Sequence, residues 1–259
     1  MVVYRPAEWD LVYVQHDVPY HTSGGETLTL DLYYPPGDLG PRHRIPAVVV
    51  VAGYPDRGFA AKVGCKFKEL GSSISWGRLI ASAGLMAVTY TNREPTADLD
   101  CLLRYLQRNA TTLGVDEGRL GLWASSGNVP LALSLLRQPA LPQIKCAVLC
   151  YGLLLDLEGA RHTADLAAQF GFANPGADMS ISDLARDIPF YLARAGQDQF
   201  PHLNETLDRF LRQAVAQNLP VTFVNHPAAP HAFDLYDESE ATRKIIRQIL
   251  SFLRRQLRG

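Results

Sequence analysis

Six consecutive apolar residues, Ala47 to Ala52 (AVVVVA), followed at once by Gly53-Tyr54-Pro55, restrict this chain more than any other stretch. A strand with one wet face alternates apolar and polar side chains. A uniformly apolar strand is covered on both faces, as in a parallel sheet flanked by helices. The neighbouring segments fit that setting. Leu28 to Tyr34 (LTLDLYY) is rich in β-formers and stops at Pro35-Pro36-Gly37; Trp76 to Ala83 has helical spacing and ends at Gly84; Leu85 to Tyr90 reads as the next strand. The rhythm continues with a helix over Asp98 to Leu113, a strand at Arg119 to Trp123, a helix over Asn128 to Leu136, and strands at Ile144 to Tyr151 and Pro189 to Ala195. A helix over Leu203 to Asn218, a strand at Val221 to Asn225 and a final helix over Ala241 to Leu257 complete it.

This alternation predicts an α/β fold, a mostly parallel central sheet with helices on both faces, in a single domain spanning residues 1–259. Ile245, Ile246, Ile249, Leu250, Leu253 and Leu257 give the last helix one apolar stripe, so Arg243, Lys244, Arg247, Arg254 and Arg255 read as its solvated face. Only Leu153 to Asp187 breaks the rhythm, and a long excursion between two strands predicts a cap or lid.

Lys and Arg number 25 against 26 Asp and Glu, and no basic run is present, so nucleic acid is not an expected partner. The AVVVVA run is far shorter than the roughly 20 residues of a membrane-spanning helix. Arg5, Glu8 and Asp10 interrupt the N-terminus before a secretory h-region forms, which makes cytoplasm the expected compartment with no membrane association. Cys65, Cys101, Cys146 and Cys150 form no C-x-x-C pair and read as buried free thiols. Whether the chain is a monomer or a homodimer is left open.

Open α/β sheets bind ligands beyond the carboxyl ends of their strands. After RLGLW comes Ala124-Ser125-Ser126-Gly127-Asn128, a small-residue turn entering a helix; after FYLARAG comes Asp198; after VTFVNHPAAP comes His231. Ser, Asp and His in that order, each behind its own strand, follow the α/β-hydrolase order of nucleophile, orienting acid and base. Ser125 is a rival nucleophile, although it would put Trp123 where the turn wants a small residue. Asp156 or Glu158 could supply the acid instead.

The remaining histidines, His16, His21, His43, His162, His202 and His226, show no metal-ligand spacing along the sequence, so no metal is expected. Neither G-x-x-x-x-G-K-[ST] nor G-x-G-x-x-G occurs, so no nucleotide cofactor is expected.

With LDLYYPP, AVVVVAGYP, ASAGLMAVTY, RLGLWASSGN, ARAGQD and HPAAPHAF falling in order, the chain from about Leu28 onward resembles the α/β-hydrolases of the dienelactone hydrolase-like branch. The resemblance implies a cofactor-free serine hydrolase acting on a small ester, lactone or thioester. Ser126 would be the nucleophile, His231 the base, Asp198 the orienting acid, and the Gly127 and Tyr54 N–H groups the oxyanion donors. The family's G-x-S-x-G becomes A-S-S-G-N here, and its His-Gly after the third strand becomes Ala52-Gly53. Cysteine, the nucleophile of dienelactone hydrolases proper, is replaced by serine. Trp76, Phe170 and Phe172, with Tyr54 and Met179, are the expected lining of an acyl pocket. A peptidase or amidase of the prolyl-oligopeptidase-like kind, or a catalytically silent binding protein of the same fold, are the alternatives.

Overall fold

The computed structural model describes residues 1–37, 44–139, 141 and 143–258; His43 lies outside them. Its elements run β1 (Tyr13–Ser23), β2 (Glu26–Tyr34), β3 (Ile45–Val50), α1 (Asp56–Val63), α2 (Gly71–Ser82), β4 (Met86–Tyr90), α3 (Pro95–Arg108), α4 (Ala110–Leu113) and β5 (Val115–Ser125). They continue with α5 (Val129–Ser134), β6 (Ile144–Cys150), α6 (His162–Phe170), β7 (Phe190–Ala195), α7 (Leu203–Ala216), β8 (Val221–His226), α8 (Phe233–Tyr236) and α9 (Glu240–Arg258). The strands form one sheet of eight in the order β1-β2-β4-β3-β5-β6-β7-β8. It is parallel from β4 through β8, and β2 pairs antiparallel with both β1 and β4.

Every residue of β3 and β4 is buried, the outcome expected for strands covered on both faces. Helix α9 packs its stripe Ile245, Ile246, Ile249, Leu253 and Leu257 across the sheet, and each such side chain contributes about 1.5–3 kcal/mol relative to exposure. Its basic residues Lys244, Arg247, Arg254 and Arg255 are exposed and Arg243 is half-buried. Cys146 and Cys150 are buried, whereas Cys65 and Cys101 are only partly so; all four are free thiols. Among the described residues no helix is long and apolar enough to cross a membrane.

Two elements depart from the sequence pattern. Strand β1 was not anticipated, because register shifts at Gln15/Val18 and Pro19/His21 and the left-handed Asp17 (φ 56°) disrupt its alternation. It is held by a tight hairpin in which Gly24 and Gly25 take φ of 53° and 82°, angles that glycine adopts without strain. The helix expected over Asp98 to Leu113 divides at Asn109, which caps α3 and starts the short α4.

The segment 153–187 behaves as two parts. Its first part carries α6 and packs Leu153, Leu166 and Phe172 with Leu203 in a small separate cluster against Tyr54. Its second part returns Met179, Ile181, Leu184 and Ala185 to the main core, with the Ala185 N–H donating to Leu136 O and the Gln138 N–H to Asp183 O.

Candidate active site

Strand β5 ends at Ser125 in extended backbone, and the chain then turns sharply at Ser126, whose φ is 53°. A left-handed serine between a strand and a helix lifts its side chain clear of the sheet. Gly127 follows because nothing larger fits: a Cβ there would lie 2.3 Å from Tyr54 Oη and 2.9 Å from Phe172 Cδ1. Asn128 stands where the family pattern has its second glycine. With φ −86° it needs no glycine, and its amide bridges two loops. Its Oδ1 accepts from the Gly53 N–H at 2.7 Å and its Nδ2 donates to Ser125 O at 3.0 Å, locking the turn after β3 onto the turn after β5.

Past β7, Gly196 lies so close to Pro227 that a Cβ would meet its carbonyl oxygen at 2.4 Å; this crossing brings Asp198 beside the loop that follows β8. There Asp198 Oδ2 accepts from His231 Nδ1 at 2.7 Å, and Oδ1 accepts from the Phe200 N–H at 2.9 Å. His231 Nε2 lies 3.0 Å from Ser126 Oγ. A carboxylate can only accept, so Nδ1 carries the ring proton and Nε2 accepts from the serine hydroxyl. The Asp198 side chain is fully enclosed and that of His231 is 18% exposed. Tyr151 edges onto the imidazole at 5.1 Å between centroids, and Phe200 rests on it at 4.7 Å.

The rival acids lie elsewhere. Asp156 accepts from the Thr163 and Ala164 N–H groups, both at 2.8 Å, and so caps α6; Glu158 pairs with Arg212 at 2.7 Å on the surface. Ser125 lines the same cavity as Ser126, but it is Ser126 Oγ that meets the imidazole.

Ser126, His231 and Tyr54 open onto a cavity of about 210 Å³, lined also by Phe59, Phe67, Leu70, Trp123, Tyr151 and Leu235. Trp76 does not reach it. Its ring is buried against Trp123, 4.5 Å between centroids, and its Nε1 donates to Asp234 at 2.7 Å. Apolar character alone could not tell which side of Trp123 this ring would occupy. Met179 turns into the main core, Phe172 covers Tyr54 and Gly127 from outside the cavity, and Phe170 touches Phe200. Burial pushes the Tyr54 phenol up to about 12, so it stays neutral.

Asp234 was not anticipated. It is fully buried, held by Trp76 and by Tyr151 Oη at 2.7 Å, and burial raises its carboxyl above the usual range. It thereby fixes the ring that packs against His231. Its position three residues after the histidine was the only sequence signal.

The histidine spacing also missed a cluster. His162, His202 and Glu205 come together between α6 and α7, because the fold closes a gap of forty residues between the two histidines.

No family model matches this chain, and no curated protein does. Solved structures do match. Native esterase 2 of the planctomycete Thermogutta terrifontis aligns with a TM-score of 0.70 at 19% identity, over 96% of this chain and 94% of that one. The same esterase with propionate bound gives 0.68 at 20% identity, over 96% and 95%. Esterase B of Lactobacillus rhamnosis gives 0.69 at 17% identity, over 97% and 88%. Sheet order, the sharp turn behind β5 and these likenesses agree: this chain has the α/β-hydrolase fold.

Proposed function

We propose that the chain is a serine hydrolase of small carboxylic esters. The observation that carries this reading is the hydrogen-bonded run Asp198–His231–Ser126, at 2.7 and 3.0 Å, with its serine held left-handed at the mouth of a cavity. Ser126 Oγ attacks the ester carbonyl carbon while His231 Nε2 takes its proton. Asp198 holds the ring with Nδ1 protonated and stabilises the imidazolium. Collapse of the tetrahedral adduct breaks the bond to the alcohol, which leaves with the proton from His231. Water then attacks the acyl-serine and gives its proton to the same nitrogen; the second adduct collapses by breaking the bond to Ser126 Oγ, which takes that proton back from His231 as the acid is released. The Gly127 and Tyr54 N–H groups are the proposed oxyanion donors, since the Asn128 bridge holds their two turns together and keeps the Gly53 N–H occupied.

A short acyl group suits the cavity of about 210 Å³. The esterase 2 likeness supports that class, having been obtained with propionate and with butyrate bound and phosphorylated by paraoxon. The reading is tested with a fluorophosphonate probe and p-nitrophenyl esters from acetate to octanoate. Wild type and Ser125→Ala should be labelled and turn over the short esters, and Ser126→Ala should do neither. Labelling that maps to Ser125, or persists in Ser126→Ala, would sink the assignment.

A further inference from the structure

Of the described residues, one group outside the candidate active site has the donors of a transition-metal centre. His162 opens α6, His202 stands just before α7 at φ 61°, and Glu205 occupies the first turn of α7. His202 Nδ1 is 3.1 Å from Glu205 Oε1, and His162 Nε2 is 3.6 Å from Glu205 Oε2. One ligand atom from each residue lies within 4.8 Å of the other two. Zinc bonds of about 2.0–2.1 Å in tetrahedral geometry separate ligand atoms by roughly 3.3–3.5 Å, so His202 Nδ1 and Glu205 Oε1, at 3.1 Å, stand near coordination distance, and His162 Nε2, 3.6 Å from the other carboxylate oxygen, needs a small turn to join them.

Two imidazoles and one carboxylate are a donor set that zinc takes with its fourth position left to water. Magnesium and calcium prefer all-oxygen shells and are poorly matched. The two rings are stacked in parallel, 4.0 Å apart and 4° from coplanar orientation. A shared ion must lie in the plane of each ring, so binding opens the stack by rotation about the Cβ–Cγ bonds, whose torsional wells are broad. Arg209 lies 3.7 Å from Glu205 Oε2 and competes for that oxygen alone, leaving Oε1 to the metal. Asp165, in the same first turn of α6, is paired with Arg161.

We propose that His162, His202 and Glu205 bind one zinc ion that staples α6 to the segment following Asp198. That segment includes Phe200, whose ring touches both His231 (4.7 Å) and Phe170 (5.9 Å). Zinc would therefore stiffen the aromatic contact on His231 without touching the reacting atoms. The site stands or falls independently of the ester reading.

The test uses the full chain, stripped with chelator and dialysed. Calorimetric titration with zinc should give one ion per chain, and at zinc a hundredfold above Kd the Tm should rise by about 5 °C or more, with no rise in magnesium. His162→Ala, at a half-buried side chain, and Glu205→Gln, at an exposed one, should fold normally, bind at least tenfold more weakly and lose the Tm rise; His21→Ala should behave as wild type. Cobalt should give the intense visible absorption of a four-coordinate ion in wild type but not in His162→Ala. The proposal is overturned if zinc gives no stoichiometric binding or if both variants bind like wild type. It is equally overturned if binding is abolished by His231→Ala and kept by His162→Ala, which would put the ion at the candidate active site.

Discussion

Restoring the glycine that the family pattern carries at position 128 should damage this protein. Asn128 is 4% exposed, and its two amide hydrogen bonds, to the Gly53 N–H at 2.7 Å and to Ser125 O at 3.0 Å, join segments 75 and 3 residues away. Asn128→Gly leaves a buried donor and a carbonyl without their partner, at about 1–3 kcal/mol for such a loss. It adds about 0.5–1 kcal/mol of unfolded-state freedom, since the backbone at φ −86° and ψ −15° gains nothing from glycine. The sum, about 2–4 kcal/mol, corresponds to a fall in Tm of roughly 5–15 °C for a chain this size. The Tyr54 turn would also lose its tether to Ser126, so kcat on p-nitrophenyl acetate should drop by about ten- to a hundredfold. Asn128→Asp is the control. It keeps the acceptor for the Gly53 N–H but sets an oxygen against Ser125 O, and should fall between the two. Scanning calorimetry and initial rates decide the matter. If Asn128→Gly matches or exceeds wild type in both, the bridge is idle and the reasoning fails.

Asp198→Asn should slow ester turnover by about 10⁴-fold, as loss of an orienting acid does, whereas Asp156→Asn should spare turnover and lower stability by about 1 kcal/mol by weakening the cap of α6; equal rates in the two variants would misplace the acid. Trp76→Phe should destabilise by about 2–4 kcal/mol through packing loss and the hydrogen bond withdrawn from buried Asp234, yet leave acyl-length preference on the ester panel unchanged; a shifted preference would return Trp76 to the cavity wall. Asp237 is pulled down to about 2: burial opposes its charge, but the Thr242 and Ser239 hydroxyls, the Ser239 N–H and His226 outweigh that. A lowered folded-state value adds stability above the ordinary 3.8 that disappears as pH falls through about 2. Asp237→Asn should therefore cost about 2 kcal/mol at pH 7, with the gap to wild type in urea titrations closing between pH 4 and 2; a gap independent of pH would refute the linkage.

The sheet was legible because β3 through β7 carry nearly unbroken apolar runs, and the residues now joined as Asp198, His231 and Ser126 each sit in the first turn beyond a strand. What stayed hidden has a common cause. Strand β1 spends its pattern on bulges at an exposed edge, so periodicity gives no signal there. Asn128 looked like a defect in a motif, since its partner Gly53 is visible only once β3 and β5 lie side by side. The cavity lining was the least readable. Hydrophobicity marks Trp76, Phe170, Phe172 and Met179 as apolar but does not say which way each side chain turns. The pairing of His162 with His202 likewise depends on the docking of α6 against α7.

Ser126, Tyr151 and Ala232 hold positive φ (53°, 34° and 53°) although none is glycine. A left-handed side chain costs about 1–2 kcal/mol, more than the roughly 0.5–1 kcal/mol that glycine loses in unfolded-state entropy. A mutant library bred for heat resistance alone should therefore accumulate glycine at Ser126 and Ala232, though not at Tyr151, whose buried ring holds Asp234, and a sister library bred for ester turnover should purge it at Ser126. The divergence of the two populations would draw the outline of the site from sequencing reads, with no substrate in the tube for the first of them.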